Sequence, residues 1–380
     1  MPSGIQVLRA ARRTTLQAMH ALGLFDRVRQ SAWRRERLLI LCYHGISLDD
    51  EHEWDASLYM SPAVFERRLE TIARGRYDVL PLPVALERLY ENRLQRPTVA
   101  ITFDDGVYDF YARAHPRLEQ YGFPSTVYLT TYYCEHQEPV FPAFCWYLLW
   151  KGRTHTLDSS GLLDARGRWD LATAAERWAA FDAIVEHAHR HHLSASEKTA
   201  LARAIAHRLG IDFELLVRKR ILHLLNASEV AELSRKGVDF QLHTHRHYTP
   251  PHRALFLREI EQNRASIRHM AGSDATHFCY PSGVHDPGWL RWLADARVTS
   301  ATTTLPGLAT ARLNPLLLPR LVDTNNVSPL EFEAWLSGIG AMLPRRRRTV
   351  PRPLSEQVRV DSAIARFTET RGRDSVGAAL

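Results

Sequence analysis

Two short stretches hold residue types that could do chemistry. In "VDFQLHTHRHYTP" (238–250), His243, His245 and His247 recur at every second position, and His252 follows. In "TVAITFDDGVYDF" (98–110), an apolar run ends on Asp104, Asp105 and Gly106. Each stretch alone has an ordinary explanation. Asp-Asp-Gly after a strand is often a turn whose carboxylates cap the next helix, and a histidine-rich loop can be a polar surface. Joined, one carboxylate and two imidazoles at converging strand ends make a facial site for a divalent cation, with positions left for water and substrate. The spacing His243-x-x-x-His247 is also that of the helical metalloprotease pair, but Thr244 stands where that pair needs its Glu, and "VDFQL" reads as a strand. The base must then come from elsewhere. One carboxylate of the Asp104–Asp105 pair can take a proton from the attacking water while its neighbour binds the ion.

The elements that would position these residues are apolar, β-branched runs at 37–45, 98–106, 125–133, 238–245, 276–283, 298–304 and 315–323, alternating with helical patterns such as "PAVFERRLETIARG" and "LREIEQNRASIRHMAG". Near-continuous hydrophobicity in about seven strands predicts an α/β chain with a parallel sheet covered by helices. In barrels and open sheets of that class the chemistry sits at the carboxyl ends of the strands. Asp104 and Asp105, the histidines, and Ser282 with Gly283 all fall at such ends. The stretch from 132 to about 225 is too long for one crossover and reads as a helical insertion; Trp146, Trp150, Trp169 and Trp178 fit helix packing within it, and "HAHRHH" (187–192) a solvated helix end.

Charge divides the chain into three: a basic amphipathic arm (1–37), a body (38–343) and a basic tail (344–380) that reads as disordered. The formal net charge is +7, with eight Arg and two acids in residues 1–37 and nine Arg and four acids in residues 345–380, so the body is acidic. An acidic body argues against nucleic acid as a partner. Cys42, Cys134, Cys145 and Cys279 form no CxxC pair and read as buried thiols of a reducing compartment. The segment "TTLQAMHALGLF" carries Gln and His, lacks a small-residue cleavage site and is followed by Arg, so it reads as an amphipathic helix rather than a leader. Ile5, Leu8, Leu16, Met19, Leu22 and Phe25 lie three or four apart or at multiples of that spacing. The expectation is a cytoplasmic chain in peripheral contact with an anionic membrane at its inner face.

"TFDDG", "HTHRH" and "FCYPSG" resemble the first three motifs of the polysaccharide deacetylases, the NodB-homology carbohydrate esterases, and the resemblance runs over most of residues 38–340. It implies a distorted (β/α)7 barrel with a helical insertion, a bound Zn²⁺ or other divalent metal, and an N-acetylated saccharide as substrate. Carried over by position, Asp105, His243 and His247 are the metal ligands and Asp104 the general base. Thr244 braces the histidine loop, and the backbone N–H near Ser282 helps hold the oxyanion. Two departures stand out. Cys279 occupies the place of an Arg that orients the base, and the late motif that supplies the acid is missing, the last strand reading "LLLPRLVDTNN". Arg320 on that strand could reach Asp104 in place of the missing Arg, and His285, His44 and His245 are the candidate acids.

The function expected is removal of N-acetyl groups from a glycan or glycolipid intermediate of surface-polysaccharide assembly. Two alternatives stay open: a metal amidohydrolase acting on another small amide, and a catalytically silent glycan-binding protein.

Overall fold

The apolar runs pair side by side in one parallel sheet. Its strands are β1 (Leu38–Tyr43), β2 (Asp78–Val79), β3 (Thr98–Phe103), β4 (Thr126–Leu129), β5 (Asp239–Leu242), β6 (His277–Cys279), β7 (Ser300–Thr302) and β8 (Leu321–Val322). The order is β7-β6-β5-β4-β3-β1-β8, with β2 against the start of β3. The structure, a computed structural model, describes residues 4–164 and 167–343; the basic tail read at 344–380 lies outside them.

Strand β1 is buried along its whole length, as is β3, because both faces are covered. Leu39, Leu41, Val99, Ile101 and Phe103 face the outer helices, whereas Leu38, Ile40, Ala100 and Tyr128 fill the interior. The outer layer includes Pro62–Arg74, Ala227–Arg235 and Arg253–Ala271, which bury Phe65, Leu69, Val230, Leu233, Phe256 and Ile260. The sheet curls until its edges approach. Leu318 N–H donates to the Ala301 carbonyl at 2.9 Å and Thr303 N–H to the Leu318 carbonyl at 2.9 Å, so the chain entering β8 lies against β7 and closes a distorted barrel.

Two elements differ from expectation. The run 315–323 forms a strand only at Leu321–Val322, since Pro315–Leu317 makes a single 3₁₀ turn and Pro319, with no N–H, interrupts the ladder. Asp78–Val79 pairs with β3 although its two residues show no apolar run.

Residues 132–225 fold around their own apolar cluster, with Phe144, Tyr147, Leu148, Phe181, Ile184 and Ile205 at its centre. Trp146 stacks on Trp178 at 3.7 Å within that cluster. The segment returns directly to the Asp-Asp-Gly turn: Leu225 N–H donates to the Gly106 carbonyl at 2.9 Å and Tyr108 N–H to the His223 carbonyl at 2.8 Å.

The N-terminal helix, Gly4–Ala21, is docked rather than free. Leu16 and Phe25 are buried against Ala334 and Ile339. Arg34, fully buried, donates to the carbonyls of Leu336, Arg37 and Thr98 at 2.9, 2.6 and 3.2 Å. Among the described residues no helix is long and apolar enough to cross a membrane. All four cysteines are buried free thiols.

Two imidazoles, His223 buried and His277 half-buried, tie stability to pH. Burial pushes both His223 and His277 down to about 4. Between that value and the ordinary histidine value near 6.5, the unfolded chain binds protons that the folded chain refuses, so stability rises with pH through this window. The unfolding free energy from urea titration is expected to fall as pH drops from 7 to 4. His223→Gln and His277→Gln should each remove part of that fall, on the order of 3 kcal/mol at most. Profiles unchanged by both substitutions would contradict the assignment.

Candidate active site

Side chains alternate along a strand, so Ala100, Thr102 and Asp104 share the interior face of β3 and its extension. Asp104 therefore ends inside the barrel, 3% exposed. A lone carboxylate there would be driven to protonate, but Arg320, fully buried just before β8, meets it edge to edge: Nη1 donates to Oδ1 and Nη2 to Oδ2, both at 2.7 Å. The guanidinium is held in turn by the Thr303 carbonyl at 3.0 Å and Thr102 Oγ1 at 3.3 Å. Burial works to raise the Asp104 carboxyl; the charge and hydrogen bonds of Arg320 outweigh it, with His243 and His44 adding, and hold it well below the ordinary carboxylate range. The Cys42 and Cys279 thiols each lie 3.4 Å from Oδ2. Burial keeps the Cys42 thiol well above its usual range, so it stays a neutral donor.

Asp105 points the other way, toward the mouth. It takes a left-handed φ of 70°, followed by Gly106 at 80°, where any side chain would strike Leu129. This is the physical need for Asp-Asp-Gly: the strand ends, the chain reverses, and two adjacent carboxylates separate. Asp105 Oδ1 lies 3.1 Å from His243 Nε2 and 3.2 Å from His247 Nε2. Burial again works to raise the Asp105 carboxyl, and the His247 and His243 imidazoles overcome it.

Two ligand atoms each about 2.1 Å from a divalent ion sit roughly 3.0–3.4 Å apart, so these separations suit one cation. A second feature also fits. His243 Nδ1 lies 2.9 Å from the Cys279 carbonyl, and since a carbonyl only accepts, Nδ1 carries the hydrogen and Nε2 is the ligating nitrogen. The residues present therefore suit Zn²⁺ or a similar ion. Thr244 Oγ1 accepts from Tyr248 N–H at 2.9 Å and closes the loop between the two imidazoles, with Thr244 and His247 both at positive φ.

The other candidates separate by position. His44, half-buried after β1, has Nε2 3.9 Å from Asp104 Oδ2. His245 turns away to Thr131 Oγ1 at 2.8 Å. Ser282 and His285 lie on and just after the turn Pro281–Gly283, which begins two residues beyond Cys279; Ser282 has φ 54°, and His285 Nδ1 bonds the Gly283 carbonyl at 2.9 Å within its own turn. Two supporting residues escaped sequence reasoning. Asn263, fully buried, accepts from His243 N–H and donates to the Leu129 carbonyl, both at 2.9 Å. Glu259 receives Arg246 at 2.6 Å. The available signal was a polar residue on the apolar stripe Phe256, Ile260, Ile267 of the helix Arg253–Ala271. Beside Asp105 and His247 opens a cavity of about 80 Å³, walled in part by Trp54, Tyr59, Val140 and Leu222.

Comparison with known proteins identifies the family. The model of the polysaccharide deacetylase family matches residues 91–301. YxkH of Bacillus subtilis (strain 168), named for the polysaccharide deacetylases, is 32% identical over 104 residues; the match takes in 26% of this chain and only 35% of that relative's length. Among solved structures, the Streptococcus pyogenes deacetylase PplD in complex with acetate superposes with a TM-score of 0.52 at 19% identity, covering 81% of this chain and 99% of that one. IcaB from Ammonifex degensii gives 0.48 at 15% identity, over 79% of this chain and 97% of that one. With the family model matching more than half of its length, the chain belongs to the polysaccharide deacetylase family.

Proposed function

We propose that the chain is a metal-dependent hydrolase that removes N-acetyl groups from a glycan or glycolipid intermediate of surface-polysaccharide assembly. The observation that carries this reading is one carboxylate oxygen within 3.1 and 3.2 Å of two imidazole nitrogens, beside a second carboxylate kept ionised by Arg320. Asp105, His243 and His247 would hold the ion. When bound, a divalent cation supplies Lewis acidity, making water more acidic and the amide carbonyl more electrophilic. Asp104 accepts the water proton, and the backbone N–H at Ser282 donates to the developing oxyanion. His44, partly exposed and beside Asp104, is the best placed of the candidate acids for the leaving amine. The C–N bond breaks, and acetate and amine are released.

Replacing His247 with Ala should abolish most bound Zn²⁺ by elemental analysis. Asp104→Asn should keep the ion and lower turnover of N-acetylglucosamine oligomers by about 10²-fold or more, while His44→Gln should keep the ion and lower turnover less. Full metal occupancy in the His247 variant would eliminate the site.

Arg320 acts through Asp104, and stability can test that separately from turnover. Arg320→Met leaves a buried carboxylate uncompensated and should cost about 3–5 kcal/mol in urea unfolding. Adding Asp104→Asn should recover part of that loss without recovering activity. Strictly additive losses would mean that the two side chains are not coupled.

Peripheral contact with an anionic membrane belongs to the same proposal. Leu16 and Phe25 are docked, whereas Leu22 is 70% exposed, and Arg13, Arg27 and Arg35 are exposed on the same arm. Sedimentation with anionic but not neutral vesicles, weakened by salt and by Leu22→Ser, is expected. Recovery of all protein in the supernatant at low salt would rule the contact out.

A further inference from the structure

The cavity beside the candidate metal ligands has a character the N-acetyl reading does not require. Leu58, Val107, Val140, Ala143, Leu222 and Leu224 supply aliphatic wall, and Asp105 and His247 belong to the same lining. The apolar surface therefore begins where a substrate carbonyl would be engaged. Next to that carbonyl comes the substituent of the carbonyl carbon. An acetyl substrate places only a methyl there, a group about the size of a water molecule, which needs roughly 10–15 Å³ of cavity volume. The cavity offers about 80 Å³, room for several such groups.

Much of this wall belongs to the 132–225 segment. Val140 and Ala143 lie at the start of the helix Phe141–Lys151, and Val140 N–H donates to the Leu222 carbonyl at 3.2 Å, joining the two sides of the segment. Leu224 pairs with Val107, three residues after Asp104. Backbone hydrogen bonds thus fix the cavity against the reactive turn. Two of the lining aromatics, Trp54 and Tyr59, are packed together at 5.8 Å, and Trp54 meets Tyr147 edge-on at 5.4 Å.

From this we infer that the site takes N-acylated saccharides whose acyl group is an aliphatic chain of several carbons, seated in this cavity. The inference rests on the hydrolase reading above and narrows its substrate class. The reaction balances as before: water oxygen bonds to the carbonyl carbon, the C–N bond breaks, and the water proton passes through the protein to the amine, giving a fatty carboxylate in place of acetate. A lipid anchor on the far side of the sugar would be separated from the cavity by at least one ring, which is why the acyl chain is the occupant assigned.

The test uses the full chain loaded with Zn²⁺ and glucosamine tetramers carrying N-acetyl, N-butanoyl or N-hexanoyl groups. Each buried CH₂ favours binding by roughly fourfold, so kcat/KM should rise with chain length, by at least about tenfold from acetyl to hexanoyl. Ala143→Phe fills the wall and should reverse the hexanoyl-to-acetyl ratio, which does not depend on how much of the preparation is folded. Calorimetric binding of hexanoate against acetate gives a readout without turnover, with hexanoate expected to bind at least about tenfold more tightly. If acetyl substrate alone is cleaved, the inference falls and the deacetylase reading stands. If nothing is cleaved yet hexanoate binds preferentially, the hydrolase reading falls and the cavity assignment survives. Equal binding of the two carboxylates, or affinity that grows with the number of sugar units and not with acyl length, would overturn the inference.

Discussion

Asp104 can remain a carboxylate inside the barrel only because Arg320 reaches it with both terminal nitrogens. A buried ion without a partner is driven toward its neutral form, and removing one member of such a pair leaves the other uncompensated. Much of the local architecture follows from this contact. Arg320 must enter the interior from the last strand, so the sheet has to curl far enough to bring β8 beside β1. Leu318 is hydrogen-bonded to the β7 side of the closure, and Leu321 and Val322 pair with Leu41 and Cys42 on the other. The guanidinium thus sits at the seam where the barrel closes, and its charge is matched at the carboxyl end of β3.

The second constraint is conformational. Asp105, Thr244, His247 and Ser282 all have positive φ, a region that residues other than glycine enter at an energetic cost. These four lie in the three loops that follow β3, β5 and β6. Surrounding hydrogen bonds hold them there: Thr130 N–H to the Asp105 carbonyl at 3.1 Å, Tyr248 N–H to Thr244 Oγ1, and Gly283 N–H to the Tyr280 carbonyl at 2.9 Å. Asn263 anchors the first imidazole through its backbone and ties the helix Arg253–Ala271 to the ends of β4 and β5. Convergence of Asp105 with His243 and His247 is therefore a property of two reversed loops braced from behind.

How much of this could be read from the sequence depends on the range of the interaction. Runs such as Leu38–Tyr43 and Thr98–Phe103 announce themselves because strands covered on both faces must be apolar throughout. Asp104, Asp105, His243 and His247 stand out because charged and imidazole groups directly after such runs have no part in a core. Asp78–Val79 gave no signal, since its place is set by the backbone of β3 rather than by its own side chains. The break at Pro319 was not anticipated, and the pairing of Leu318 with Ala301 depends on the curvature of the whole sheet. The return of the chain at Leu225 to Gly106 joins positions 119 residues apart by sequence number, and no local pattern encodes it. Asn263 was visible as a polar residue on an apolar stripe, but its partners were not.

The Cys279 departure becomes intelligible in these terms. The family resemblance places there an Arg that orients the base. In this chain Cys279 Sγ lies 3.1 Å from Arg320 Nη2, in the space next to the guanidinium that already faces Asp104. A second arginine at 279 would bring two like charges and two planar groups to one carboxylate, in a site enclosed by Tyr128 and Thr102. The small thiol at 279 and the arginine at 320 are thus mutually dependent choices. In this chain the charge reaches Asp104 from the segment entering β8, and the adjoining position on β6 is held by sulfur. Asp104 lies on the interior face, where a strand end that is not its neighbour in the sheet can present a cation to it. The constraint at this point falls on charge and reach.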